Sequence, residues 1–366
     1  MKIKEVVRCG DQLAPLNSAL DWDNSGLLVG DPEEEVTGIL TALDATLPVV
    51  EEAAAKGCNL IVTHHPVIFH PQKRFTAGNI AFEAARRGIS ILSLHTCYDM
   101  ADQGVNRALA ETLGLENIRP LLREKMKNWK KLTTYVPKAQ AEQLYQALSE
   151  AGCGDGGDYS GVCFFTQGQG RFCPMEGSHP VLGTVGRMEK VEEVRMETAF
   201  PPELESQVVE ALKQNHPYEK PVWDIWTLEN FGEEYWLGCV GELPEPMTEK
   251  AFAQFIQERL HITPRYNPGQ RLIRQVGLCG GSGGELMAEA MKAHGWQYQA
   301  FVTAEVKHHQ FMEAEQLGVT LYDASHYATE VVAIPWLTRQ LAAQVGEKVP
   351  VANTILLFIM PSPALL

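Results

Sequence analysis

The sequence predicts an α/β protein: a main domain of βα units with a largely parallel or mixed sheet, interrupted by a ferredoxin-like α+β insert. Three observations carry this. Short, β-branched apolar runs such as Asn59-Leu60-Ile61-Val62 and Ala300-Phe301-Val302-Thr303 alternate with helical stretches near both ends of the chain. From about Lys130 the order changes to strand–helix–strand–strand–helix–strand. Histidines and carboxylates recur just after the apolar runs, at Thr63-His64-His65-Pro66, His95-x-x-x-Asp99 and His326-x-x-x-Glu330. Open α/β sheets place their ligands beyond such strand ends.

The elements follow in order. Residues 4–20 are expected to form an amphipathic helix with Val6, Val7, Leu13, Leu16 and Leu20 on one face. Trp22-Asp23-Asn24-Ser25-Gly26-Leu27-Leu28-Val29-Gly30 reads as a turn and a strand, with Asp23-Asn24 explicable as turn chemistry alone. Residues 38–44 form the next strand, and Thr46 with Pro48 opens a helix that runs to Gly57. Strand 58–62 leads to the His-His-Pro turn. Its two imidazoles are placed to serve two ions, or one ion and one anchor; taken alone, the pair reads as one buried, hydrogen-bonded histidine and one exposed one. Helix 79–87 ends at Gly88, strand 89–94 leads to His95, Asp99 closes a short loop, and helix 103–114 stops at Gly114. Taken singly, Asp99 is also readable as a cap, His95 as a core histidine and Cys97 as packing.

Residues 128–232 are expected to form the inserted domain, and 1–127 plus 233–366 the discontinuous main domain. The insert reads as strand 131–137, helix 138–151, strands through Val162-Cys163-Phe164-Phe165 and Arg195-Met196-Glu197-Thr198, helix 201–215 and strand 222–228. Its Gly168-Gln169-Gly170-Arg171-Phe172 and His216-Pro217-Tyr218-Glu219 segments read as turns or, together, as a small binding surface. The main domain resumes with helix 249–260, strand 276–279, helix 285–294 and strands 300–303 and 319–323. Gly280-Gly281-Ser282-Gly283-Gly284 is neither a Walker A loop nor G-x-G-x-x-G; it is a tight turn or an anion site at a helix start. A helix opening at His326 puts His326 and Glu330 on one face.

Composition narrows the classes. The net charge of −15 argues against an extended nucleic-acid or anionic-membrane surface. No apolar run is long enough to span a bilayer, and Met1-Lys2-Ile3-Lys4-Glu5 lacks a signal-peptide core. The eight cysteines form no C-x-x-C, which excludes a zinc ribbon or a thioredoxin motif. The expected location is the cytoplasm, with reduced thiols.

His64, His65 and His326 with Asp99 and Glu330 exceed what a single catalytic zinc takes from protein. They suit two divalent ions about 3.5–4 Å apart, bridged by Glu330 or a water. Mixed nitrogen and oxygen ligands favour zinc, iron, manganese or cobalt. His95, Glu305 and His309 are the candidates for orienting a ligand or moving a proton.

The segments Trp22 to Gly30, Ile61-Val62-Thr63-His64-His65-Pro66-Val67-Ile68-Phe69, His95-Thr96-Cys97-Tyr98-Asp99, Gly104-Val105-Asn106, Cys279 to Gly284, Thr303 to His309 and Asp323 to Glu330 together resemble the Nif-three-like dinuclear metal-centre family, labelled GTP cyclohydrolase 1 type 2 homologues. The insert resembles the PII/CutA-type domain of its longer bacterial members. The resemblance implies His64, His65, Asp99, His326 and Glu330 as metal ligands and a ring-shaped homohexamer with its sites facing an internal cavity. Ala304-Glu305 stands where Gly-Asp is common, Ser325 where Gly is common and Cys97-Tyr98 where Asn-Leu is usual, departures that spare all five ligands. The function expected is a metal-dependent hydrolase acting on a nucleotide or another small phosphorylated or heterocyclic substrate. The alternative is a non-enzymatic metal-binding or regulatory ring whose insert gates the cavity or binds a partner.

Overall fold

A computed structural model describes residues 1–156 and 158–354. They form two compact units, Met1–Lys125 with the described residues from Tyr235 on, and Met126–Glu234. The end of the expected 233–366 segment, residues 355–366, lies outside the described residues.

The first unit holds two mixed sheets. In one, β1 (Gly26–Val29), β2 (Ile39–Ala42), β3 (Leu60–Thr63) and β4 (Ser90–Ser93) join strand Val351–Asn353 in the order β1-β4-β3-β2 and then Val351–Asn353. The strands β2, β3 and β4 are parallel, with Ala42 opposite Thr63 and Thr63 opposite Ser93, and β1 is antiparallel to β4. Every residue of these three parallel strands is buried. Leu60 and Val62 point into a core with helices Ile3–Leu13 and Ile334–Val345, and Ile61 into one with Leu47–Ala55 and Ile80–Arg86. Burial on both faces is why these strands read as unbroken apolar runs.

The N-terminal helix stops at Leu13 rather than reaching residue 20. Pro15 has no N–H to continue the ladder and pushes Ala14 into extended backbone (φ −146°, ψ 94°). Leu16–Ser18 is a separate 3-10 turn.

The chain leaves the first unit on β5 (Glu116–Pro137), forms β6 (Cys163–Phe172) and β7 (Glu189–Phe200), and returns on β8 (Trp223–Thr248). Next come β9 (Arg265–Tyr266), β10 (Leu272–Leu278), β11 (Ala300–Thr303) and β12 (Thr320–Asp323). Within the first unit their order is β8-β10-β11-β12-β9, parallel from β10 to β12 and antiparallel at both flanks. The functional residues therefore follow the strand ends of two sheets. The insert separates the two parallel sets in the chain, and each set packs its own cores: Val276, Val302 and Tyr322 on one face of the second, Phe301 and Leu321 on the other.

The second unit has the order β5, helix Ala141–Glu150, β6, β7, helix Glu205–Asn215, β8, and neighbours β6-β7-β5-β8. Both helices pack on one sheet face, against Leu132, Val136, Val194 and Met196. The strands β5 and β8 have 22 and 26 residues. They outrun the expected 131–137 and 222–228 because both continue across the boundary between units, where apolar alternation fades. Among the described residues, no helix is long and apolar enough to cross a membrane.

Candidate metal centre

The ends of six parallel strands supply the site. Asp44 follows β2, His64-His65 follow β3 and His95 follows β4 in one sheet; Gly280-Gly281 follow β10, Glu305 follows β11 and His326 follows β12 in the other. The His-His pair is held by continued strand pairing: His64 N–H donates to the Ala42 carbonyl at 3.2 Å and His65 N–H to that of Leu43 at 2.9 Å. Asp99 ends a one-turn helix, Thr96–Asp99, where a loop was expected.

Four imidazoles converge, each with Nδ1 committed to an oxygen. His64 Nδ1–H donates to the Leu94 carbonyl at 3.0 Å, His65 to Asp44 Oδ1 at 2.7 Å, His95 to Asp23 Oδ1 at 2.7 Å and His326 to Glu305 Oε1 at 3.0 Å. Every partner is an acceptor, so the proton sits on Nδ1 and Nε2 is each ring's inward atom. Such outer partners orient ligating histidines.

The inward atoms meet carboxylates. His65 Nε2 lies 2.9 Å from Glu330 Oε2, and His326 Nε2 lies 3.1 Å from Glu330 Oε1. His64 Nε2 is 3.6 Å from Asp99 Oδ1 and 3.7 Å from Glu330 Oε1. Yet His64 Nε2 and Asp99 Oδ1 are buried without a hydrogen-bond partner, and Glu330 Oε2, for all its closeness to His65 Nε2, makes no hydrogen bond of good geometry either. Unpaired polar atoms in a protein interior are costly and rare. These three point at a common space, as ligands to a cation do. His65, His326 and Glu330 form one group able to hold a metal ion, and His64, Asp99 and Glu330 a second; His64, His65 and His95 form a third.

Gly281 makes room for this arrangement. Its φ is +65°, and a Cβ there would come within 2.3 Å of Glu330 Oε1 and 3.2 Å of His326 Nε2. The rest of the glycine turn serves packing. The Gly280, Gly281 and Gly283 amides donate to Asn106 Oδ1, Thr329 Oγ1 and Thr303 Oγ1 at 2.9, 3.0 and 2.9 Å. With three amides used internally, the turn is not a free anion cradle. Asn106 also donates to the Asp99 carbonyl at 2.8 Å, tying the Asp99 turn to the glycine turn.

The electrostatics favour positive charge. Burial works against protonated His65, but contacts with Asp44 and Glu330 push its pKa up to about 10. The Glu330 contact, against burial and aided by Glu305, raises that of His326 to about 9. Burial opposes ionisation of Glu330, yet His326, His64 and His65 hold it well below the ordinary carboxylate value. Burial likewise opposes ionisation of Asp23, but bonds from His95, Thr96 and Ser25 keep it ionised.

The structure therefore brings His64, His65, Asp99, His326 and Glu330 together. Of the residues expected to orient or transfer protons, His95 is in the cluster and Glu305 holds His326. His309 is exposed in the first turn of helix His308–Leu317 and is not among the cavity-lining residues. It faces solvent because the buried position of that turn is taken by Gln310, whose side chain caps Lys307 N–H at 2.8 Å. Cys97 is fully buried, its S–H directed to Ser25 Oγ at 3.6 Å, and burial pushes its thiol up to about 12; it serves packing. Sequence reasoning missed Asp44 and left Asp23 as turn chemistry. The available signal was position: Asp44 lies two residues beyond the end of a strand that neighbours β3.

The cluster opens into a cavity of about 830 Å³, with Trp22 and Phe69 among its walls. Their rings lie 6.0 and 6.1 Å from that of His95.

Fold and site together define an α/β protein of two mixed sheets with a histidine–carboxylate cluster able to hold metal. The chain belongs to the Duf34/NIF3 (NGG1p interacting factor 3) family, whose model matches residues 1–357. It is 36% identical over 345 residues to a Staphylococcus aureus protein named GTP cyclohydrolase 1 type 2 homolog, covering 91% of each chain. It is 33% identical over 351 residues to the protein of that name in Bacillus subtilis, covering 94% of this chain and 93% of the relative. A solved Bacillus cereus protein related to NIF3 superposes with a TM-score of 0.78 at 33% identity, covering 98% of both chains.

Proposed function

We propose that this protein is a dinuclear metal-dependent hydrolase acting on a nucleotide or another small phosphorylated or heterocyclic substrate. The observation that carries the reading is the set of buried, unpartnered atoms on His64, Asp99 and Glu330 beside His65 and His326. In this reading His64, Asp99 and Glu330 hold one divalent ion, and His65, His326 and Glu330 the other. Zinc, iron or manganese suits these ligands. Two such ions, when bound, lower the pKa of water and polarise a scissile group.

The chain's own residues do the rest. Asp23, ionised and with its side chain buried, accepts a hydrogen bond from His95 Nδ1–H and leaves Nε2 to take up or deliver a proton in the cavity. Thr96 and Ser25 donate to Asp23 at 2.6 and 2.8 Å and fix its carboxylate. Glu305 and Asp44 hold the His326 and His65 rings. Trp22 and Phe69, 60% and 43% exposed with rings 6.0 Å apart, offer an aromatic wall to a planar substrate. That wall and the name of the relatives support a heterocyclic substrate, including GTP.

The test joins elemental mass spectrometry of protein purified without nickel affinity to turnover assays over a panel of nucleotides and phosphoesters. About two transition-metal ions per chain, with turnover lost in Asp23→Asn while metal is retained, is the expected result. Readily released metal with no turnover would favour the carrier reading, and absence of metal after reconstitution would overturn both.

A further inference from the structure

The second unit contains a cavity of about 510 Å³ that the proposed metal chemistry does not use. It lies on the sheet face away from the two helices. Register places its residues: Glu193 pairs with Gly168 and Arg195 with Tyr135, while the intervening Val194 and Met196 enter the helix-side core. Glu193 and Tyr135 therefore share the open face with Phe172, four positions on from Gly168. Tyr218, Met175 and Leu182 complete the walls. The two sequence segments read as a potential binding surface thus meet here, with the Phe172 and Tyr218 rings 5.8 Å apart, edge to face.

Glu193 is the feature the fold itself does not explain. Its Oε1 accepts the Tyr218 hydroxyl at 2.6 Å. Its Oε2 lies over Gly170, where a Cβ would come within 2.1 Å, so the strand carries a glycine where the carboxylate needs room. Lys131 and Arg195, cations on neighbouring positions of the same sheet, both pair with Glu197 instead. Among the described residues no lysine or arginine forms an ion pair with Glu193. Tyr218 remains a neutral donor, because burial and then the bond to Glu193 push its hydroxyl above the ordinary value. His216 steadies the same turn by accepting the Tyr218 amide at Nδ1, 3.1 Å away.

A carboxylate anchored at one oxygen and unpaired by a cation has acceptor capacity left for N–H donors. Around it stand aromatic rings, which stack on planar groups, and the volume is that of a small-molecule site. We propose that this cavity binds a planar aromatic ligand carrying a paired N–H edge, an amidine or aminoheterocycle, with Glu193 as its acceptor and Tyr218 holding Glu193 in place. Arg171 and Lys220 also line the cavity, which disfavours a ligand carrying more than one positive charge.

The test is a ligand-observed NMR titration of the full chain with 2-aminobenzimidazole against benzimidazole, which has the same rings without the exocyclic amine. Saturable binding of the amine, at least about tenfold tighter than its analogue, is expected, with the advantage abolished in Glu193→Gln. Tyr218→Phe keeps the ring but frees the carboxylate, and is expected to weaken binding severalfold; it decides the matter if Glu193→Gln does not fold. Circular dichroism establishes the fold of each variant. Equal binding of the two compounds, undiminished binding by the folded variants, or no saturable binding overturns the proposal.

Discussion

His65 and Glu330 come from the ends of different sheets, yet His65 Nε2 and Glu330 Oε2 meet at 2.9 Å. Glu330 also reaches His326, and it belongs to both candidate ion groups, that of His65 and His326 and that of His64 and Asp99. Replacing it by glutamine keeps the shape and removes the charge both sites need. Glu330→Gln is expected to lose most bound transition metal, measured by elemental mass spectrometry, with its far-ultraviolet circular dichroism unchanged. A variant that retained the wild-type stoichiometry would show that Glu330 is not a shared ligand.

Asp44 meets the ligand set through His65 Nδ1. Removing such a partner leaves the ligand set intact but releases the ring and lowers its basicity. Asp44→Asn should weaken metal binding by about 10–100-fold, the usual effect of losing an outer partner. Competition with a chelator of known affinity measures it, and an unchanged affinity would restrict Asp44 to a surface role.

Ser325 has φ +68° and ψ 135°, a backbone conformation that suits glycine, as the chain turns from β12 into the His326 helix. Non-glycine residues in sparsely populated regions cost about 1–3 kcal/mol each. Ser325→Gly relieves this but makes the unfolded chain more flexible. The net expectation is a gain of about 1 kcal/mol, read as a higher Tm in thermal unfolding. A lower Tm would mean that the serine side chain contributes more than the strain costs.

His216 gives the second unit a defined pH response. It is buried, its Nε2–H donates to the Tyr135 carbonyl at 3.0 Å, and its Nδ1 accepts from Tyr218 N–H. Burial lowers its pKa below the ordinary 6.5, against the opposing Tyr135 bond. The folded chain therefore takes up fewer protons than the unfolded chain, and stability rises with pH in this window. The contribution is present above pH 6.5 and is lost as pH falls through the lowered folded value, by at most about 1.4 kcal/mol per pH unit. The Tm difference between the wild type and His216→Ala should shrink from pH 7.5 to pH 5.5. A difference independent of pH would mean that only the packing of the ring matters.

Much of the fold was legible because its strands are buried on both faces. The runs at β3 and β11 are fully apolar or β-branched, and Thr46, Pro48 and Gly88 punctuate their helices as local chemistry requires. Helix Glu249–Leu260 matches its expected bounds residue for residue, since the Thr248 hydroxyl caps it and His261 closes it in the left-handed conformation. The N-terminal helix was misjudged because its apolar spacing continues past Pro15, and a missing N–H outweighs periodicity.

By itself the sequence determined which residue types stand at the strand ends: His64, His65, His95, Asp99, His326 and Glu330 each lie beside an apolar run, and i,i+4 spacing set the His326–Glu330 contact. Tertiary structure alone decided their partners. Asp44 and Asp23 reach His65 and His95 across strand neighbours, and His65 reaches Glu330 across two sheets. Local propensity carries no information about such contacts, because they are set by sheet order and by which acceptors each imidazole faces at Nδ1. The same holds for Gly281 and Gly170, whose missing side chains make sense only once Glu330 and Glu193 are seen to occupy the space.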